Sequence, residues 1–351
     1  MLRQLARLTH PVPAAGPAAL ALAVYTDPSG ERIVANESGF EGVACVDDVA
    51  RALDVLCDVW TRTRHPEVER WARGMLEFVL WMQGHDGRWW NFVYDWMGTR
   101  NESGITSSTG ENFWHARALS GVSHAWLTFG DDRALEALRR GLGHAIAREA
   151  PADVRALHVL VGLRLMEDGS IPGLMPTVRH WAHEIAESRI DGVLMNNPDE
   201  RGEPHLWVHV QEGVLAEAGH ALADEAMIEV ARTSARALWS PIVRGGFHRA
   251  SVTPYDVACA VYSLERLAEV DGSGEWAALA ADARVWFEHV DSAGRRVYDR
   301  NAGRVADGVD HGRVSENSGA EANVVGAEAL FDDAVASVEA AVTLLPASSS
   351  V

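Results

Sequence analysis

DDVARALDVLCDVWTRTRHPEVERWARGMLEFVL, residues 47–80, decides the fold. Val49, Leu53, Leu56 and Trp60 fall on one helical face, which predicts a helix over 47–60. Residues 61–65 are a short polar turn. Pro66 suits a first helical position, and Val68, Trp71, Ala72, Met75, Leu76, Val79 and Leu80 form a second, broader apolar stripe. The segment reads as two antiparallel helices joined by a tight turn, followed by a long connector over 83–110.

The same unit recurs along the chain. Helical patterning predicts helices near 111–129 and 132–149, 153–166 and 174–190, 205–222 and 224–239, 256–270 and 275–290, and 319–330 and 332–344. Short turns at 130–132, 169–173 and 271–274 alternate with long connectors at 191–204, 240–254 and 291–318. The short boundary at Pro151 is the one lapse. Twelve helices in six hairpins predict an all-α fold, an (α/α)6 toroid, with small β elements in the long loops (88–94, 245–248 and 296–298). The expected organisation is an N-terminal extension over 1–36 packed on or near the barrel, a single barrel over 37–345 and a frayed tail over 346–351. Alternation puts every long connector at one end, where the N-termini of the first helix of each hairpin carry unsatisfied N–H groups and partial positive charge.

Bulk properties narrow the partners. With a net charge of −19 over 351 residues, nucleic acid and anionic membrane are excluded as partners, because both would be repelled. No apolar run approaches the roughly 20 residues of a membrane span. Cys45, Cys57 and Cys259 have no metal-type spacing and read as buried thiols, which fits a cytoplasmic location. Phosphate-binding and dinucleotide glycine motifs are absent, as is a nucleophile elbow, so no cofactor is expected. The sequence is compatible with a homo-oligomer.

The long connectors and the helix starts after them hold the candidate chemistry. Asp47 and Asp48 open the first helix. Either can cap it, but two adjacent carboxylates followed by Arg51 also suit a site. A further aspartate at position 51, as a terpene-cyclase motif would require, is missing. Ser108 and Glu111 have capping-box spacing, as do Ser318 and Glu321; Glu111 is followed by Asn112, Trp114, His115 and Arg117. Trp89, Trp90 and Trp96 lack helical periodicity, and flat indole faces suit sugar rings. His205 and His209, four apart, would share a helical face; a pair without a third ligand does not make a metal site, and none is expected. Trp207, His248, His311, Glu316 and Asp95 complete the loop candidates. Thr253-Pro254-Tyr255-Asp256 reads as a structural cap.

From about residue 37 onward the chain resembles the six-hairpin glycosidase superfamily. The resemblance rests on the hairpin count, Val46–Ala52 (VDDVARA), Asp86–Phe92 (DGRWWNF), Glu111–Leu119 and Ser318–Glu321. It implies an (α/α)6 barrel acting on carbohydrates, with acidic catalysts at the first-helix N-termini. Members also include lyases and epimerases, so the fold leaves the reaction open.

The expected function is that of a glycoside hydrolase, inverting by the resemblance, on an oligosaccharide or glycoside. Asp48 and Glu111 are the acid–base pair, with Asp47, Asp95, His115 and Glu316 as alternative catalysts. Trp89, Trp90, Trp96, Trp114, Arg117, His205, Trp207, His248 and His311 would contact the carbohydrate. One protonated and one ionised carboxyl suffice for such chemistry. The competing readings are a sugar epimerase, isomerase or lyase using histidines, and a non-catalytic saccharide-binding protein.

Overall fold

A computed structural model describes residues 1–28, 30–35, 41–110, 112–197 and 202–347. In chain order its helices are α1 (Leu2–Leu8), α2 (Val46–Thr63), α3 (Pro66–Trp81), α4 (Phe113–Phe129), α5 (Asp132–Ala147), α6 (Ala152–Asp168), α7 (Met175–Glu187) and α8 (Gln211–Ala221). Then follow α9 (Glu225–Ala237), α10 (Trp239–Arg244), α11 (Pro254–Asp271), α12 (Gly274–Arg284), α13 (Ala320–Ala329), α14 (Phe331–Ala336) and α15 (Val338–Val342). The six expected hairpins are present as α2/α3, α4/α5, α6/α7, α8/α9, α11/α12 and α13/α14. None of the described helices is long and apolar enough to cross a membrane.

The chain divides into two compact units. Unit 1 comprises residues 1–149, 299–307 and 316–351, and unit 2 comprises 150–298 and 308–315. In unit 1, α2 packs along both α4 and α13, while α3 and α5 cover their hairpin partners. In unit 2, α8 packs along both α6 and α11 in the same way. The first helix of each hairpin therefore lines up with first helices, and its buried stripe is correspondingly broad.

The approach of α4 to α2 needs a residue without a side chain. A Cβ on Gly121 of α4 would stand 2.6 Å from the Ala50 carbonyl oxygen of α2. Gly121→Ala is expected to destabilise the protein by about 1–3 kcal/mol through overpacking, despite alanine's better helix propensity. Urea denaturation measures this; unchanged stability would mean that α2 and α4 separate freely.

The structure adds local detail and corrects some of the expectations. Residues 2–8 are helical, with Leu2, Leu5 and Leu8 fully buried, and α1 packs on α13 and α15. α8 starts at Gln211 instead of 205, so His205 and His209 do not share a helical face. Val208 interrupts that segment with φ 60. Among the described residues no group of histidines, cysteines and carboxylates is arranged to hold a metal ion. The strand expected near 245–248 forms instead at Ser251–Val252, which pairs with Val309–Asp310. All three cysteines are free and buried.

Candidate active site

The site in unit 1 is built where residues 41–45 run into α2. Ala44 and Cys45 pair antiparallel with Val93 and Phe92 of the long connector. Gly42 has φ +144, and a Cβ there would lie 2.1 Å from the Val93 carbonyl oxygen, so only glycine lets the two segments meet. The Val46 N–H donates to the Asn91 carbonyl (2.8 Å) and the Asp47 N–H to Asn91 Oδ1 (3.1 Å). Cys45, not an aspartate, is the N-cap, its Sγ accepting from the Asp48 N–H at 3.5 Å. Both aspartate side chains are thereby released from capping.

They meet Arg51 one turn on. The Arg51 guanidinium lies 3.3 Å from Asp47 Oδ1 through Nε and 2.8 Å from Asp48 Oδ1 through Nη2. Nη2 also reaches Glu321 Oε2 of α13 at 3.0 Å. Arg117 of α4 donates to Asp47 Oδ1. Three first helices of unit 1 thus converge on two guanidinium groups.

This arrangement separates the two adjacent carboxyls. Burial raises Asp47, but Arg117 and Arg51 outweigh it and hold the group below the usual carboxylate range. Burial pushes Asp48 up to about 6; Arg51 pulls it down, while Asp47 and Glu321 push it further up. One carboxyl is thus stabilised as the anion, and its neighbour retains its proton into mildly acidic solution.

Two further features escape the sequence reading. Half-buried Asp307, from the connector before α13, is raised to about 6 by burial and by Glu321, against the pull of its hydrogen bond from the Gly319 N–H at 2.6 Å. Further along α2 and α4, His124 sits between Asp54 (2.9 Å) and Asp58 (3.3 Å), and Ser120 Oγ donates to Asp54 Oδ2 at 2.7 Å. Glu328 of α13 reaches solvent, yet the protein around it pushes its carboxyl up to about 7, with Asp54 adding to the shift and Arg51 opposing it. The spacing Asp47, Arg51, Asp54, Asp58 was the available signal, a charged stripe on a helix otherwise buried.

The remaining expected residues are placed as follows. Glu111 lies outside the described residues. Asn112, not Ser108, caps α4, its Oδ1 accepting from the His115 N–H at 3.1 Å. At the start of α13 no capping box forms: Ser318 Oγ donates to the Val305 carbonyl (2.7 Å), and Glu321 turns to Arg51. His115 is fully buried, its Nε2–H donating to the Gly141 carbonyl at 3.2 Å, and burial lowers it to about 4, which keeps the ring neutral. Asp95 is occupied by a turn, accepting from the Gly98 (3.0 Å) and Thr99 (3.2 Å) N–H groups. Arg117 binds Asp47 and so orients a carboxylate.

The connector tryptophans pack protein. Trp89 is fully buried, its indole N–H donating to the Val79 carbonyl at 2.8 Å; this removes it from substrate contact. Trp114 donates to the Trp89 carbonyl at 3.1 Å, Trp90 lies under Arg100, and Trp96 stacks on His10 with ring centres 4.3 Å apart. Trp90, Trp96 and Trp114, the last of these in α4, are only half-buried.

In unit 2 the expected candidates divide by burial. His209 is fully buried in a network. Its Nδ1–H donates to Asn196 Oδ1 (2.7 Å), and Nε2 faces Glu212 Oε1 (3.1 Å), which also accepts from Ser234 Oγ (2.6 Å). The Trp239 indole N–H donates to Glu212 Oε2 at 3.0 Å. Burial raises Glu212, but His209 and these donors win and hold it below its usual range. His205 and Trp207 are stacked, with centroids 4.1 Å apart. His248 and His311 are exposed in the loops beside the small sheet, and Glu316 is exposed in unit 1. Asp256 forms a capping box with Thr253, as expected.

No family model matches this chain, and no curated protein does either. Solved structures do. Cellobiose 2-epimerase from Bacillus thermoamylovorans superposes with a TM-score of 0.70 at 10% identity, covering 95% of this chain and 96% of that one. A D-mannose isomerase gives 0.66 at 9% identity, with 94% of both chains covered. An unsaturated glucuronyl hydrolase specific for heparin gives 0.60 at 12% identity, with 98% and 97% covered. The chain therefore has the six-hairpin (α/α)6-toroid fold, the architecture common to these three proteins.

Proposed function

We propose that this chain is a carbohydrate-active enzyme, and specifically a glycoside hydrolase in which Asp48 donates the proton to the leaving group and an ionised carboxylate, Asp47, completes the pair. One observation carries this reading: two adjacent carboxyls on a shared guanidinium are shifted in opposite directions, Asp47 below its usual range and Asp48 up to about 6. That division is what a two-carboxyl glycosidase needs. Bridging by one side chain is compatible with the roughly 5–9.5 Å separations of such pairs. The fold supports the substrate class, since the solved structures that share it act on saccharides. Glu111 is the competing partner for Asp48, and turnover by Asp47→Asn and Glu111→Gln decides between them.

Isotopes separate the reaction classes. The protein is incubated with neutral oligosaccharides, glycosides and saturated uronic-acid oligosaccharides in ¹⁸O-labelled water and, separately, in deuterium oxide. Hydrolysis should place ¹⁸O at the new reducing end and no deuterium on carbon. Carbon-bound deuterium would instead show an epimerase or isomerase, and a new ring double bond would show a lyase. Binding without any product would leave only a saccharide-binding protein.

A further inference from the structure

In unit 1 a group of like charges gathers outside the carboxylate centre. Arg3 and Arg7 stand four residues apart on α1 and so share one face, while Leu2, Gln4, Leu5, Ala6 and Leu8 of the same helix are buried. α1 packs on the short strand Arg304–Val305, which brings in a third guanidinium, Arg304. Arg7 senses both of the others: burial holds it below its usual range, and the charges of Arg3 and Arg304 lower it further.

Two of the three are anchored without a counter-charge. Arg3 Nη2 donates to the Arg300 carbonyl. Arg7 Nη1 donates to the Ala302 carbonyl at 3.0 Å and to Gln4 Oε1 at 3.1 Å. Gly303 has φ +69, and a Cβ there would lie 2.3 Å from Arg3 Nε, so glycine lets this side chain lie against the turn. These bonds use only part of each guanidinium's N–H donors. The neighbouring carboxylates are engaged elsewhere. Asp299 accepts from the Asn301 (2.9 Å) and Ala302 (3.0 Å) N–H groups, and Asp333 pairs with Arg300 at 3.0 Å. Among the described residues no carboxylate pairs with Arg3, Arg7 or Arg304, although the chain has 50 acidic and 31 basic side chains. Tethering of α1 accounts for part of Arg3 and Arg7. It does not account for Arg304, which is half-buried and makes no hydrogen bond or ion pair among the described residues.

We propose that Arg3, Arg7 and Arg304 form a binding site for a tetrahedral oxyanion, a phosphate or sulfate group. Guanidinium presents a planar fork of donors that matches such a group, and charge-assisted bonds of this kind are the strong ones. The carbonyl contacts hold Arg3 and Arg7 in place beforehand, which lowers the ordering cost of binding. A bound dianion would also offset the mutual repulsion of the three cations. The site shares no residue with the Asp47–Asp48 centre and does not rest on the hydrolase reading.

Calorimetric titration with inorganic phosphate, sulfate, glucose 6-phosphate and glucose tests the site, at an ionic strength fixed with sodium chloride. The full chain is compared with Arg304→Gln and Arg7→Lys. At least one of the three anions should bind the parent saturably, and Arg304→Gln should weaken that binding roughly tenfold. Arg7→Lys, which keeps the charge but loses the fork, should weaken it as well. Without anion, Arg304→Gln should unfold no earlier than the parent, because Arg304 holds no partner in place. Tighter binding of glucose 6-phosphate than of phosphate would support the site and assign the oxyanion to a sugar ester. Equal or weaker binding would support the site and assign it to the free anion. Absence of saturable binding of all three anions at tens of millimolar would overturn the site. Binding that Arg304→Gln leaves unchanged, an adventitious ion only, would overturn it too and leave the arginines as tethers of α1. None of these readouts requires turnover, so failure of the hydrolase reading and failure of this site are separately visible.

Discussion

Replacing Asp48 by asparagine should lower turnover by about 10²–10⁴-fold, the range contributed by a positioned general acid, and leave the helical fold in place. The amide keeps the shape and accepts a hydrogen bond from Arg51, but it cannot give up a proton. The pH profile carries a sharper signature. Asp48 sits at about 6, so the protonated form that donates is present below that value and disappears above it. Activity of the parent should therefore decline tenfold per pH unit as pH rises beyond about 6, while Asp47, held low by Arg117 and Arg51, remains ionised throughout. The residual activity of Asp48→Asn should lack this limb. A variant that retains parental turnover, or that retains the limb, would remove Asp48 from the chemistry.

Replacing Arg51 by methionine should destabilise the protein by about 3–5 kcal/mol at pH 7, the cost of removing one partner from a buried ionic cluster. The guanidinium is only 8% exposed, and it faces Asp47, Asp48 and Glu321 together. Without it, Asp47 and Asp48, 16% and 6% exposed, repel one another where little water reaches them, while Glu321, 52% exposed, is solvated. The sign of the pH effect follows directly. Loss of the cation raises the carboxyl pKa values in the folded variant, so the folded state takes up protons more readily, and lowering the pH from 7 to 5 relieves part of the loss. Urea denaturation at the two pH values measures both effects. A deficit of the same size at pH 5 would mean that lost packing, and not charge, accounts for the destabilisation.

The hairpin architecture was legible because each helix carries its own apolar period and each short turn its own breakers. These are local properties, and residues 47–80 are enough to set the pattern. The contact between Asp48 and Arg51 was legible for a related reason, since the two stand one turn apart at a helix start. What could not be read depended on partners distant in sequence. Glu321 has capping-box spacing to Ser318, but Arg51 outcompetes that local use. Asp307 lies in a connector without periodicity, and only the surrounding protein and Glu321 give it an unusual carboxyl. The helix expected from 205 starts at 211 because the polar groups of 205–212 are taken up by Asn196, Ser234 and Trp239. The connector indoles were read as a sugar-binding lining because they lack periodicity. Trp89 shows the alternative cause, an irregular segment whose large side chains form its own interior.

The contact between Arg51 and Glu321 spans 270 residues of chain. Everything that closes this ionic cluster on the α13 side is translated after all of unit 2 up to residue 315. Contacts of such separation form late, once the loop entropy between them has been overcome. A nascent chain can thus fold its early hairpins while Asp47 and Asp48 still lack one wall of their setting. The full ionic cluster therefore assembles only once α13 has been made and has docked on α2.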